Sequence, residues 1–133
     1  MKAIARRRQG FTHDVEIEGG HALVIDEPPE SGGTDEGPPP TRVLAASLAA
    51  CTAITVEMYA GRKGWELGAV EVEVEMGYDE KATPNTFEVT VRIPEPLDQE
   101  QQDRVLAIAG KCPVHRALAR ETEVSIRDRI ELA

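Results

Sequence analysis

Alternation of hydrophobic and polar positions appears first over residues 14–18. Val15 and Ile17 alternate with Asp14, Glu16 and Glu18, Gly19-Gly20 makes a two-residue turn, and His21-Ala22-Leu23-Val24-Ile25-Asp26 returns. Period-two alternation around a glycine pair predicts a β-hairpin. Residues 27–40 hold prolines and glycines that suit neither ladder nor helix, so they read as a loop within one domain. From Pro40 or Thr41 to about Arg62 the pattern turns helical, with Thr41 a plausible N-cap and Gly61 and Gly64 marking the end. Apolar residues occupy every face of this helix through Val56, which predicts an enclosed helix.

Two more alternating runs follow. Val70, Val72, Val74 and Met76 interleave with glutamates, and Phe87, Val89, Val91 and Ile93 interleave with Glu88, Thr90 and Arg92. Each predicts a strand with one wet and one dry face. Asp98-Gln99-Glu100-Gln101 opens a helix with a capping-box pattern, and Val105, Leu106, Ile108 and Ala109 form its apolar stripe. Pro113 stops that helix and starts another over residues 113–120, and a last strand is expected over Val124–Ile130. The order of strands, helix, strands, helices and strand defines an α+β fold, read as one domain over residues 1–133. One thin antiparallel sheet covers only one side of an all-apolar helix. The simplest remedy is a second copy of the chain, so a homodimer is expected with this helix near the shared core.

Charge narrows the function. Lys plus Arg is 15 against 24 Asp plus Glu, a net charge of −9. Such a surface repels phosphate backbones, so nucleic acid is not an expected partner. The basic cluster Lys2, Arg6, Arg7 and Arg8 reads as a solvated edge strand. Two cysteines are too few for a secreted disulfide scaffold, and charge begins at Lys2, so a cytoplasmic location is expected. The Val43–Val56 stretch is short and rich in Ala, Ser and Thr, which favours a buried helix over a membrane span.

The two cysteines carry the candidate chemistry. Cys51 sits within the apolar helix, and Cys112 at a helix break beside Lys111, His115 and Arg116. A helix N-terminus and nearby cations favour a thiolate, which makes Cys112 the more reactive thiol on local grounds. Cys51 attacks only if a cation reaches it, because burial alone raises a thiol's pKa. Peroxide reduction needs a thiolate, a group that holds it, and a second thiol to resolve the sulfenic acid. Cys112 and His115 also have the spacing of half a zinc site, but four nitrogen or sulfur ligands are needed and few candidates remain, so no metal is expected.

The runs that surround these cysteines are similar to a known pair of motifs. Gly37-Pro38-Pro39-Pro40-Thr41-Arg42-Val43-Leu44-Ala45-Ala46-Ser47-Leu48-Ala49-Ala50-Cys51-Thr52 resembles the first cysteine motif of the OsmC/Ohr family, the osmotically inducible and organic hydroperoxide resistance proteins. Ile108-Ala109-Gly110-Lys111-Cys112-Pro113-Val114-His115-Arg116-Ala117-Leu118 resembles the second. The resemblance implies an antiparallel sheet wrapped around a long central helix in an intertwined homodimer, with active sites at the subunit interface. It implies a thiol peroxidase of organic hydroperoxides, with Cys51 peroxidatic, Cys112 resolving and a catalytic arginine from the first strands. Arg8 is the closest match, with Arg6 or Arg7 serving if the register slips. Regeneration by a small or protein-bound dithiol, including lipoylated proteins, and no tightly held cofactor are also implied.

Typical members place a glutamate ten residues before the first cysteine, where this chain has Thr41; Asp35, Glu36 and Glu57 are the acids available to replace it. The apolar surroundings of Cys51 favour an alkyl or lipid hydroperoxide. The missing glutamate supports the alternative of a dimeric protein that binds a hydrophobic small molecule with little turnover.

Overall fold

The structure is a computed structural model that describes residues 1–132. It is α+β. Strands β1 (Ala3–Gln9), β2 (Thr12–Ile17) and β3 (His21–Ile25) precede the long helix α1 (Pro40–Lys63), strands β4 (Glu71–Tyr78) and β5 (Pro84–Arg92), and helices α2 (Gln99–Ala109) and α3 (Pro113–Leu118). The chain forms two compact units. One comprises Met1–Ala46 with Gly77–Asn85, and the other comprises Ser47–Met76 with the residues from Thr86 onward.

In the first unit, β1, β2 and β3 form an antiparallel sheet in that order. The expected hairpin is present, with Ile17 opposite His21 and Val15 opposite Leu23. Every residue of β1 is exposed, as expected for a solvated, basic edge strand. The Pro/Gly-rich segment is more ordered than a bare loop. It contains a short 3-10 turn, Pro29–Ser31, and folds around the carboxylate of Asp26, which is 1% exposed. The Asp26 carboxylate accepts from Thr12 Oγ1 at 2.8 Å, Thr34 Oγ1 at 3.0 Å, and the main-chain N–H groups of Glu27 at 2.7 Å and Glu36 at 3.1 Å. Four donors replace the water that a buried anion loses. Gly33 is required by the same packing, because a Cβ there would lie 1.9 Å from the Glu27 carbonyl oxygen.

In the second unit, Val56 and Ala60 of α1 pack with Leu67 and with Val105 and Ala109 of α2; Trp65, Val70, Val91, Ile93 and Leu97 surround them. β4 and β5 pair, and each alternates between half-buried apolar and exposed polar positions as predicted. The capping box of α2 is complete, with Asp98 and Gln101 satisfying each other's main-chain N–H.

Two expectations are corrected, the N-cap of α1 and the last strand. α1 starts at Pro40, so Thr41 lies inside the first turn, where its hydroxyl meets Tyr78 Oη at 3.2 Å instead of capping the helix. One chain leaves part of α1 uncovered. Its buried stripe is Leu48, Thr52, Val56 and Ala60, while Ala46, Ala50, Ile54 and Met58 form a second, exposed stripe at the same four-residue spacing. By length and composition alone this 24-residue helix could cross a bilayer.

The segment Val124–Ile130 joins no ladder among the described residues, and Val124, Ile126, Ile130 and Leu132 are 60%, 81%, 84% and 88% exposed. An alternating segment becomes a strand only when an open edge lies within its reach.

Candidate active site: a buried dithiol

Cys51 sits midway along α1, and Cys112 is the N-cap of α3. Cys112 is one of the groups that raise the Cys51 thiol, which makes the two thiols, 61 residues apart in sequence, neighbours. Both are unoxidised. Their exposure reverses the order suggested by local sequence. Cys112 is wholly buried at 0%, while Cys51 is only partly buried and is the thiol an oxidant meets first.

The first turn of α3 positions the pair. Pro113 follows Cys112, fixes the entry into the helix and has no N–H to satisfy. The main-chain N–H of His115 donates to Cys112 Sγ at 3.5 Å. Burial pushes the Cys51 thiol up, and the neighbouring Cys112 thiol pushes it further. The Val114 N–H and the Thr55 hydroxyl act in the opposite direction. None of the principal groups acting on Cys51 is a cation. Among the described residues, two buried side-chain polar atoms have no partner, Thr52 Oγ1 beside Cys51 in sequence and His115 Nδ1 on α3.

Arg8 belongs to the other unit. It lies on β1 with its guanidinium paired to Asp14 of β2, Nε to Oδ2 at 3.1 Å and Nη2 to Oδ1. Arg8 holds the Asp14 carboxyl below its ordinary range. Arg6 is engaged by Glu16 at 2.8 Å, and Arg7 donates to the Gly10 carbonyl at 2.9 Å. Among the described residues, no cluster of three or more His, Cys, Asp or Glu has metal-binding geometry. A groove of about 420 Å³ lies between β5 and α2; Val91, Ile93, Leu97, Val105 and Leu106 line it, with Glu95 and Asp103 among its polar residues, and neither cysteine does.

Sequence reading found both cysteines and the helix start at Cys112. It missed the influence of Thr55 and Val114 on Cys51. The only available signal for Thr55 was its spacing of four residues from Cys51, and a main-chain group such as that of Val114 leaves no signal in residue type.

The two cysteines lie on a long helix and at the cap of a short one, within an α+β frame. The family model for OsmC-like protein matches residues 33–127, and the chain belongs to this family. No curated protein matches. Among solved structures, the chain is similar to a candidate osmotic stress induced and detoxification response protein from Psychrobacter arcticus 273-4. The identity is 18%, with 88% of this chain and 87% of that chain covered and a TM-score of 0.80. It is also similar to an organic hydroperoxide resistance protein OsmC from Legionella pneumophila, at 25% identity with 89% of each chain covered and a TM-score of 0.60. A third is an organic hydroperoxide resistance protein from Elizabethkingia anophelis, at 23% identity with 86% of this chain and 84% of that chain covered and a TM-score of 0.63.

Proposed function

We propose that this protein is a thiol-dependent peroxidase that reduces alkyl or lipid hydroperoxides. The observation that supports this reading is that the Cys51 and Cys112 thiols are neighbours. The Cys51 thiolate attacks the O–O bond, the bond breaks, and the substrate leaves as an alcohol after taking a proton. The Cys51 sulfenic acid then condenses with the Cys112 thiol, which forms the disulfide and releases water. A dithiol reductant, small or carried on a lipoylated protein, returns both thiols and closes the cycle. Arg8 is the candidate cation for the thiolate.

The working unit in this reading is a homodimer. Its support is the exposed stripe Ala46, Ala50, Ile54 and Met58 on the most apolar helix of the chain, together with the alternating tail that finds no ladder of its own. A second copy covers both.

The test is a thiol count. Addition of cumene hydroperoxide to the reduced protein removes two free thiols per chain, dithiothreitol restores them, and Cys51→Ser abolishes hydroperoxide consumption. A Cys51→Ser protein that consumes hydroperoxide at the parent rate overturns the assignment. One observation favours a second reading, a binding protein for a hydrophobic small molecule: the groove between β5 and α2 is large enough for a small apolar ligand. That reading predicts unchanged thiols and a ligand displaced by Leu106→Glu.

A further inference from the structure

Two faces of α2 meet different surroundings. Val105 and Ala109, one turn apart, are buried in the core. Gln99, Gln102, Asp103 and Leu106 recur at the three- and four-residue spacing of a second face, and all four line the groove beside β5. Val91 of β5 and the residues that follow the strand, Ile93, Glu95 and Leu97, supply the rest of its lining with Val105. Leu106 is 70% exposed, a large apolar side chain that the core does not use.

The acidic groups of this groove lack a counter-charge. Neither Glu95 nor Asp103 is paired with a cation among the described residues, and no Lys, Arg or His lines the groove. The two amides are engaged within the lining: Gln99 Nε2 donates to Asp103 Oδ1 at 2.8 Å, and Gln102 Nε2 donates to the Leu97 carbonyl at 2.9 Å. A neutral apolar molecule would strip water from the carboxylates and give nothing back. An anion would be repelled by them and by the net charge of −9.

We propose that the groove between β5 and α2 binds a cationic amphiphile, a protonated amine carried on a hydrocarbon chain. The ammonium is held by the acidic part of the lining, Glu95 and Asp103, through charge-assisted hydrogen bonds. The hydrocarbon covers Ile93, Leu97 and Leu106 and removes their apolar surface from water. A volume of about 420 Å³ is that of a small-molecule site. Neither cysteine lines the groove, so the inference stands apart from the peroxidase reading. It deepens the second reading by giving the apolar ligand a positive charge.

The experiment is calorimetric titration of the full-length reduced protein at neutral pH with octylamine, octanol and octanoate, which share a hydrocarbon chain and differ in charge. Two-dimensional NMR spectra locate the binding. Octylamine binds about tenfold tighter than octanol, from two solvent-screened carboxylates acting together, and octanoate binds more weakly than octanol. High salt removes the difference between octylamine and octanol. Glu95→Gln combined with Asp103→Asn brings octylamine to the affinity of octanol, and Leu106→Ala weakens both. Glu95 and Asp103 are exposed, and circular dichroism checks that their variants fold; if the double variant fails, the single ones decide. Equal affinity for octylamine and octanol, parent affinity in the folded carboxamide variants, or NMR shifts away from β5 and α2 overturn the proposal. Octanol that binds as tightly as octylamine leaves the second reading standing without its charge. A groove covered by a second copy shows as a parent that binds no octylamine and a sedimentation mass that falls in Leu106→Glu, which also overturns the proposal. Failure of the peroxidase reading shows separately, as a parent protein that retains both thiols in cumene hydroperoxide.

Discussion

The main-chain N–H of His115 points at the sulfur of Cys112 from 3.5 Å, so the candidate resolving thiol is also the cap of α3. Its replacement therefore has a structural cost apart from any redox effect. Cys112→Ser keeps an acceptor at the N-cap and Cys112→Ala does not. The alanine variant is expected to be less stable than the serine variant by about 1 kcal/mol, the usual effect of losing a cap. Urea denaturation of the two reduced proteins measures it. Equal stabilities would mean that the sulfur does not cap the helix.

Asp26 predicts an acid-sensitive loop. Burial alone would raise its pKa, but bonds from the Glu27 N–H, the Thr12 hydroxyl, the Glu36 N–H and the Thr34 hydroxyl outweigh burial and hold the carboxyl well below its usual range. The folded pKa is depressed, so the contribution to stability is fully present above the unfolded value of about 3.9 and is lost as pH falls below it. Denaturant midpoints of the parent are expected to fall between about pH 4 and 2 more steeply than those of Asp26→Asn. Asp26→Asn itself is expected to lower the melting temperature by several degrees at neutral pH. Parallel pH profiles for the two proteins would remove the carboxylate from the account.

Two glycines are expected to respond in opposite directions. A Cβ at Gly33 meets the Glu27 carbonyl oxygen at 1.9 Å, whereas a Cβ at Gly61 meets nothing within 4 Å. Gly61 lies inside α1, so Gly61→Ala is expected to stabilise by about 0.5–1 kcal/mol through helix propensity and lost unfolded-state freedom. Gly33→Ala is expected to destabilise by about 2–4 kcal/mol, because main chain must move. Thermal melts of the two variants check both signs.

Ile54, 54% exposed, and Met58, 59% exposed, test the assembly. A charge at either position is tolerated on a free surface and is not tolerated in a packed interface. Ile54→Glu is expected to halve the mass measured by sedimentation equilibrium. An unchanged mass would place the subunit contact elsewhere or show that there is none.

Arg8 and Asp14 form an exposed pair, so their loss is expected to leave stability within about 0.5 kcal/mol of the parent. Peroxidase activity is expected to fall at least tenfold in Arg8→Ala, on the scale of losing one electrostatic contact in a transition state. It is expected to hold or rise in Asp14→Asn, which releases the guanidinium. Steady-state consumption of cumene hydroperoxide measures both. Parent-like activity in Arg8→Ala would leave thiolate stabilisation to neutral donors alone.

Sequence by itself determined the element order as far as α3, and not the strand expected after it. Alternation in β2, β4 and β5, the Asp98–Gln101 capping box and the Pro113 helix start are local patterns that report local backbone, and each is present where the sequence places it. The paired cysteine motifs also identified the family. Tertiary structure decided what depends on neighbours distant in sequence. It set the exposure of Cys112 below that of Cys51 and folded a Pro/Gly-rich loop around Asp26. It also left one stripe of α1 and the tail from Val124 without cover. Periodicity specifies which side of an element is apolar; only packing specifies what, if anything, lies against that side.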